Sequence, residues 1–113
     1  MTLVIGGLGA GKRAYVMQTL GFHAEDFSRC VNDSCAVLYD LQDMQSPDFD
    51  ALLQKQVVIC NEVGCGVVPI SAEARAKREE TGRLCIRLAA AADCVVRVQC
   101  GIGTVIKGKL PCR

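Results

Sequence analysis

A chain of 113 residues has room for one hydrophobic core, so a single domain over residues 1–113 is expected. A formal charge of +1 supplies no basic field, which argues against nucleic acid or an acidic membrane surface as partner. Half of the residues are apolar but only 4% are aromatic, and no run is long and apolar enough to span a bilayer. The core is therefore expected to be aliphatic, built from Val, Ile, Leu, Ala and Cys.

Leu3-Val4-Ile5 is a short apolar run closed by Gly6-Gly7 and reads as a buried strand. It is too short for a signal peptide and runs straight into glycines, so the expected location is cytoplasmic. From Gly11 to Leu20, Ala14, Met17 and Leu20 recur at helical spacing, and Gly21 is a natural stop. The piece 22–32 has no clear period. Ser34 to Asp40 reads as a second strand. Ser46-Pro47-Asp48 then predicts a helix, with Ser46 as cap, ending near Gln56. Val57 to Asn61 is a third strand, fully apolar up to its last residue. Ser71 caps a long helix to about Ala92, and Cys94 to Cys100 is a fourth strand. Gly101-Ile102-Gly103 predicts a tight reversal into Thr104-Val105-Ile106, closing one edge as an antiparallel hairpin. Strands alternating with helices predict an α/β three-layer sandwich, a mainly parallel sheet with helices on both faces.

Eight cysteines stand at positions 30, 35, 60, 65, 85, 94, 100 and 112. None shows the two-residue spacing of a zinc site, and several lie inside apolar runs. They are expected to be free thiols that pack as small hydrophobes. Cys65, between Gly64 and Gly66, is the one to watch for reactivity, although an inert loop residue explains it as well.

Gly6-Gly7-Leu8-Gly9-Ala10-Gly11-Lys12 follows the first strand and opens the first helix. Gly, four residues, Gly, Lys is the P-loop pattern, whose glycines let successive backbone N–H groups turn inward around a phosphate. Gly6, Gly7, Gly9, Gly11, Lys12 and Arg13 are thus the candidate nucleotide-binding residues, and the fold expected is P-loop NTPase-like. Lys12 would reach the outer phosphates as a point charge, helped by the positive end of the helix. The hydroxyl residue that normally follows the lysine and ligates Mg²⁺ is here Arg13, which cannot ligate a metal but can neutralise phosphate charge. Asp40 and Glu62 end their strands on the same rim, where ligands of open parallel sheets bind. They are the candidate catalytic and Mg²⁺-holding carboxylates beside Lys12.

The glycine loop, the run Asn61-Glu62-Val63-Gly64-Cys65-Gly66-Val67-Val68-Pro69, and Gly82-Arg83-Leu84…Arg87-Leu88-Ala89 together resemble the adenosylcobinamide kinase / adenosylcobinamide-phosphate guanylyltransferase family of cobalamin biosynthesis. Arg75-x-x-Arg78-Glu79-x-x-Gly82 and Gly101-Ile102…Lys107-Gly108 add to the likeness. It implies ATP or GTP as cofactor, a corrinoid hydroxyl as phosphoryl acceptor, GMP transfer through a histidine, and a trimer. Family members carry several dozen more residues, the nucleotidyl-accepting histidine among them, between the first helix and the Asp-ended strand. Here the only histidine is His23, for which no catalytic role is expected. Cys85 and Ile86 stand where the family tends to have Asn-Gln. A kinase-like member is one reading, and a relative that holds a nucleotide or corrinoid without turnover is the other. Arg75, Arg78 and Arg83 read as a solvated helix face before any phosphate or subunit contact.

Overall fold

The apolar residues of each strand alternate between the two faces of one sheet, and that alternation builds two cores. The computed structural model describes residues 1–62 and 71–110. Its strands are β1 (Thr2–Gly6), β2 (Phe27–Ser28), β3 (Val37–Leu38), β4 (Val57–Asn61), β5 (Cys94–Gln99) and β6 (Ile102–Gly108). Its α-helices are α1 (Lys12–Leu20), α2 (Phe49–Leu53) and α3 (Ala72–Ala91). The sheet order is β2-β3-β4-β1-β5-β6, parallel throughout except for the antiparallel β5–β6 pair. Val4, Val57, Ile59, Val96 and Val98 pack against Tyr15, Val16 and Leu20 of α1. Leu3, Leu38, Val58, Cys60 and Val95 pack on the opposite face against Leu52 of α2 and Leu88 of α3. Helices therefore cover both faces, and the expected α/β, P-loop NTPase-like layering is present.

This topology places the site. From β1 the chain leaves through α1 on one face and reaches the far edge at β2. From β4, next to β1, it passes through α3 on the other face and arrives at β5. Neighbouring strands whose connections part in opposite directions open a crevice at their carboxyl ends.

Three boundaries differ from the sequence expectation. The second strand shrinks from 34–40 to Val37–Leu38, because side chains claim its backbone groups before the ladder can. Lys55 Nζ donates to the carbonyls of Asp33 and Cys35, both at 2.8 Å, and Cys35 N–H donates to Asp33 Oδ1 at 3.0 Å. The helix expected from Ser46 to Gln56 is α2 alone. Ser46 sits at φ 38, in the left-handed region and outside the helix, and Asp48, in an extended conformation, is the cap and accepts from Asp50 N–H at 3.1 Å. The hairpin turn falls at Cys100-Gly101, both at positive φ, one residue earlier than predicted. Two consecutive positive φ values match the twist of the paired strands. The segment 22–32, without a period, supplies a single 3-10 turn at Ala24–Asp26 and the edge strand β2.

The long helix matches its prediction, with Ser71 Oγ accepting from Ala74 N–H at 3.1 Å. Its last turn contains no basic residue of its own. Lys107 of β6 serves instead, donating to the carbonyls of Ala89 at 2.9 Å and Ala90 at 2.8 Å. No helix among the described residues is long and apolar enough to cross a membrane.

Leu88 is fully buried whereas Ile86 is 72% exposed. Leu88→Ala is expected to cost about 2–5 kcal/mol in urea unfolding, and Ile86→Ala less than about 0.5 kcal/mol. Hydrogen bonds from Ser28 and from Cys35 N–H, with the Lys55 ammonium, hold the Asp33 carboxyl at about 2 instead of 3.8. A depressed carboxyl stabilises the fold above pH 3.8 and loses that contribution as pH falls through about 2. An NMR titration should find this low midpoint, and Lys55→Ala should raise it.

Candidate phosphate-binding site

β1 ends where it is squeezed between β4 and β5. A Cβ on Gly6 would lie 2.5 Å from the Val98 carbonyl oxygen, so no other residue fits without moving backbone. The Gly6 carbonyl accepts from Glu62 N–H at 2.7 Å, which ties the end of β4 to the start of the loop. Gly9 and Gly11 then take φ values of 74 and 89. Ala10 N–H closes a turn on the Gly7 carbonyl at 3.2 Å, and Gly101 N–H reaches back to the Ala10 carbonyl at 2.8 Å. The loop is thus held from β4 on one side and from the β5–β6 turn on the other.

Gly11 is the N-cap of α1, no side chain caps that end, and the first turn carries no acidic residue. The first amides of α1 therefore face the loop without a competing carboxylate. Lys12 is buried to 8% exposure and folds back so that Nζ donates to the Gly7 carbonyl at 2.7 Å. Burial pushes its ammonium below the usual lysine range. Asp40 opposes that shift and Arg13 reinforces it.

Asp40 follows β3 at φ 56. Its Oδ2 is 2.8 Å from the Arg29 guanidinium, and Gln42 Nε2 reaches Oδ1 at 3.4 Å. Gln42 also accepts from Asn61 N–H at 2.9 Å, so one amide side chain bridges the ends of β3 and β4. Arg29 and Arg13 both lie against the Tyr39 ring, with their guanidinium carbons 5.1 and 5.4 Å from its centroid. Gly9, Gly11, Lys12, Arg13, Asp40 and Asn61 converge on a cavity of about 330 Å³.

Of the sequence candidates, the structure thus brings Gly9, Gly11, Lys12, Arg13 and Asp40 together. Gly6 and Gly7 support them, through the strand crossing and through the carbonyl that holds Lys12. Glu62 stands apart. Its Oε2 pairs with Arg97 Nε at 3.0 Å, and it lines a separate cavity of about 420 Å³ with Arg83 and Cys85 of α3. His23 is exposed and caps the 3-10 turn, its N–H donating to Asp26 Oδ2 at 2.8 Å. Arg75 is exposed on α3. Val63 to Pro69, Cys65 included, and Cys112 lie outside the described residues. Arg29, Tyr39, Gln42 and Arg97 escaped the sequence reading. Only Gln42, two residues past a strand-ending Asp, left a signal that could have been followed.

The donor set does not fit Mg²⁺. Asp40 is the one carboxylate among the described residues lining this cavity, and it is engaged by Arg29. Arg13 fills the position where a hydroxyl ligand is expected. An ammonium, a guanidinium and an open helix N-terminus make instead a site for a multiply charged anion.

Residues 40–106, more than half of the chain, match the family described as CobU, cobinamide kinase / cobinamide phosphate guanyltransferase. The match begins at Asp40, after the glycine loop. Among curated proteins, the bifunctional adenosylcobalamin biosynthesis protein CobU of Salmonella typhimurium is 53% identical over 53 residues, and that of Escherichia coli 51%. Each match covers 47% of this chain and 29% of the relative's length, so the chain spans less than a third of these relatives.

Gly6→Ala should cost roughly 1–3 kcal/mol of stability, since its Cβ must displace the Val98 backbone. Gly7→Ala meets no atom within 4 Å and should unfold at nearly the wild-type urea concentration.

Proposed function

Since the chain belongs to the cobinamide kinase / cobinamide phosphate guanyltransferase family, we propose that it binds the phosphates of ATP or GTP at the 6–13 loop and serves the kinase-type half of that chemistry, on a corrinoid hydroxyl in cobalamin biosynthesis. The convergence of Lys12, Arg13 and the uncapped N-terminus of α1 on one cavity carries this reading. Phosphoryl transfer depends on positioning and charge stabilisation more than on covalent chemistry. On binding, Lys12 exchanges the Gly7 carbonyl for phosphate oxygens, and a phosphate dianion restores the charge that burial disfavours. Arg13 leaves Tyr39 to neutralise a second oxygen. Asp40 is the carboxylate nearest this charge, and it faces an acceptor hydroxyl once Arg29 releases it. Glu62, occupied by Arg97, takes no part.

Guanylyl transfer is outside the proposal. It needs a nucleophilic side chain, and the one histidine caps a turn away from the cavity. The trimer implied by the resemblance is retained, and Ile86, Ile102 and Ile106 are exposed apolar side chains that a subunit contact would cover.

A second reading, nucleotide binding without turnover, is favoured by one observation: among the described residues, the Arg29–Asp40 pair and Arg13 leave no free carboxylate or hydroxyl for a metal in the cavity. Calorimetry with ATP and GTP, each with and without Mg²⁺, tests both. Binding is expected to be micromolar and independent of Mg²⁺, and to fall about tenfold or more in Lys12→Ala. Undiminished binding in that variant would overturn the site. Phosphate transfer to cobinamide in a turnover assay separates the kinase reading from the second.

A further inference from the structure

The phosphate cavity and the cavity beside α3 are separated by β4, and on that divide two cysteines meet. Cys60, on β4, is fully buried, and Cys85, on α3, is half-buried and lines the larger cavity. Their sulfurs share a hydrogen bond at 3.5 Å. A disulfide needs about 2.05 Å, so the sulfurs must close about 1.5 Å to bond. We propose that Cys60 and Cys85 form an oxidisable pair, converted by a hydroperoxide into a disulfide that pins the end of β4 to α3.

The order of events follows from access. Cys85 borders open space, whereas Cys60 has none, so the oxidant meets Cys85 first. Cys85 gives up its proton and the thiolate attacks hydrogen peroxide: an S–O bond forms, the O–O bond breaks, and the departing hydroxide takes up the released proton as water. Cys60 then attacks the Cys85 sulfur. The S–S bond forms, the S–O bond breaks, and hydroxide leaves with the Cys60 proton as a second water. Two electrons pass from the two sulfurs to one peroxide. Burial of the resolving thiol at contact distance from the first favours this step over further oxidation of Cys85, because Cys60 is already in place.

The linkage has a structural reach. Cys60 Sγ now contacts the Asn61 carbonyl at 3.3 Å, and Asn61 N–H is the group that Gln42 holds beside the phosphate cavity. A bond from this sulfur to Cys85 takes away the thiol hydrogen that the carbonyl can accept and fixes the helix to the strand that ends at the site. None of this depends on the nucleotide reading.

The test treats the full chain with hydrogen peroxide, alkylates remaining thiols under denaturing conditions, and maps the peptides by mass spectrometry. The expected product links the peptides of Cys60 and Cys85 with loss of two hydrogens and is reversed by dithiothreitol. The thermal midpoint of the oxidised protein should rise by several degrees, because the cross-link restricts the unfolded chain. Cys85→Ala and Cys85→Ser should both abolish the link, while Cys100→Ala, an exposed thiol, should leave it intact. Recovery of Cys60 as a free thiol while Cys85 proceeds to sulfinic or sulfonic acid would overturn the proposal. So would linkage of Cys60 to a different cysteine in the wild-type chain.

Discussion

The approach of β1 to β5 at Gly6 is the constraint on which the rest of the molecule depends. With the Val98 carbonyl 2.5 Å from where a Cβ would stand, only glycine lets the central strand run in register to its end. That register puts the Gly6 carbonyl under Glu62 N–H and the next residues at the mouth of the crevice. The loop geometry, the entry of α1 and the burial of Lys12 all follow from where β1 stops. The glycine is therefore structural first, and the candidate phosphate loop takes its shape from strand packing.

Around this frame the electrostatics are unusual for a cavity meant to hold phosphates and a metal together. Three cationic side chains, Lys12, Arg13 and Arg29, gather near a single carboxylate, and each has a provisional partner: a carbonyl, an aromatic ring, Asp40. Such partners are weak enough to be exchanged for an anion and strong enough to hold the side chains in place beforehand. Arg13 is thus more than a missing hydroxyl. It changes the sign of the group next to the lysine, and with it the kind of ligand the cavity accommodates.

Much of this was legible in the sequence, for identifiable reasons. β1, β4 and β5 are in the middle of the sheet and buried on both faces, so they announce themselves as apolar runs. The Gly6 to Lys12 spacing encodes backbone geometry directly, and Asp40 could be placed at a strand end without knowing its neighbours. What stayed hidden depends on side chains that meet across long stretches of chain. Lys55 shortens β3 by claiming carbonyls 20 and 22 residues away, which no local period records. Glu62 shares the predicted rim, but its carboxylate pairs with Arg97, 35 residues on, and lines a different cavity from Asp40. Cys60 and Cys85 each fit the pattern of a buried small apolar residue. Their contact exists only because α3 packs on β4 at that height.

The cap that β6 lends to α3 has a further consequence. Ala89 and Ala90 expose carbonyls at the helix end, and the ammonium that satisfies both belongs to a strand that is itself the sheet's outermost member. An edge strand ordinarily frays on its own, at little free-energy cost to the interior. Here separation of β6 near Lys107 also strips the last turn of α3 of its positive charge, so fraying of the strand costs the helix end its two carbonyl partners. The periphery of the sheet is in that way tied to the helix whose middle turns border the cavity of Glu62 and Cys85.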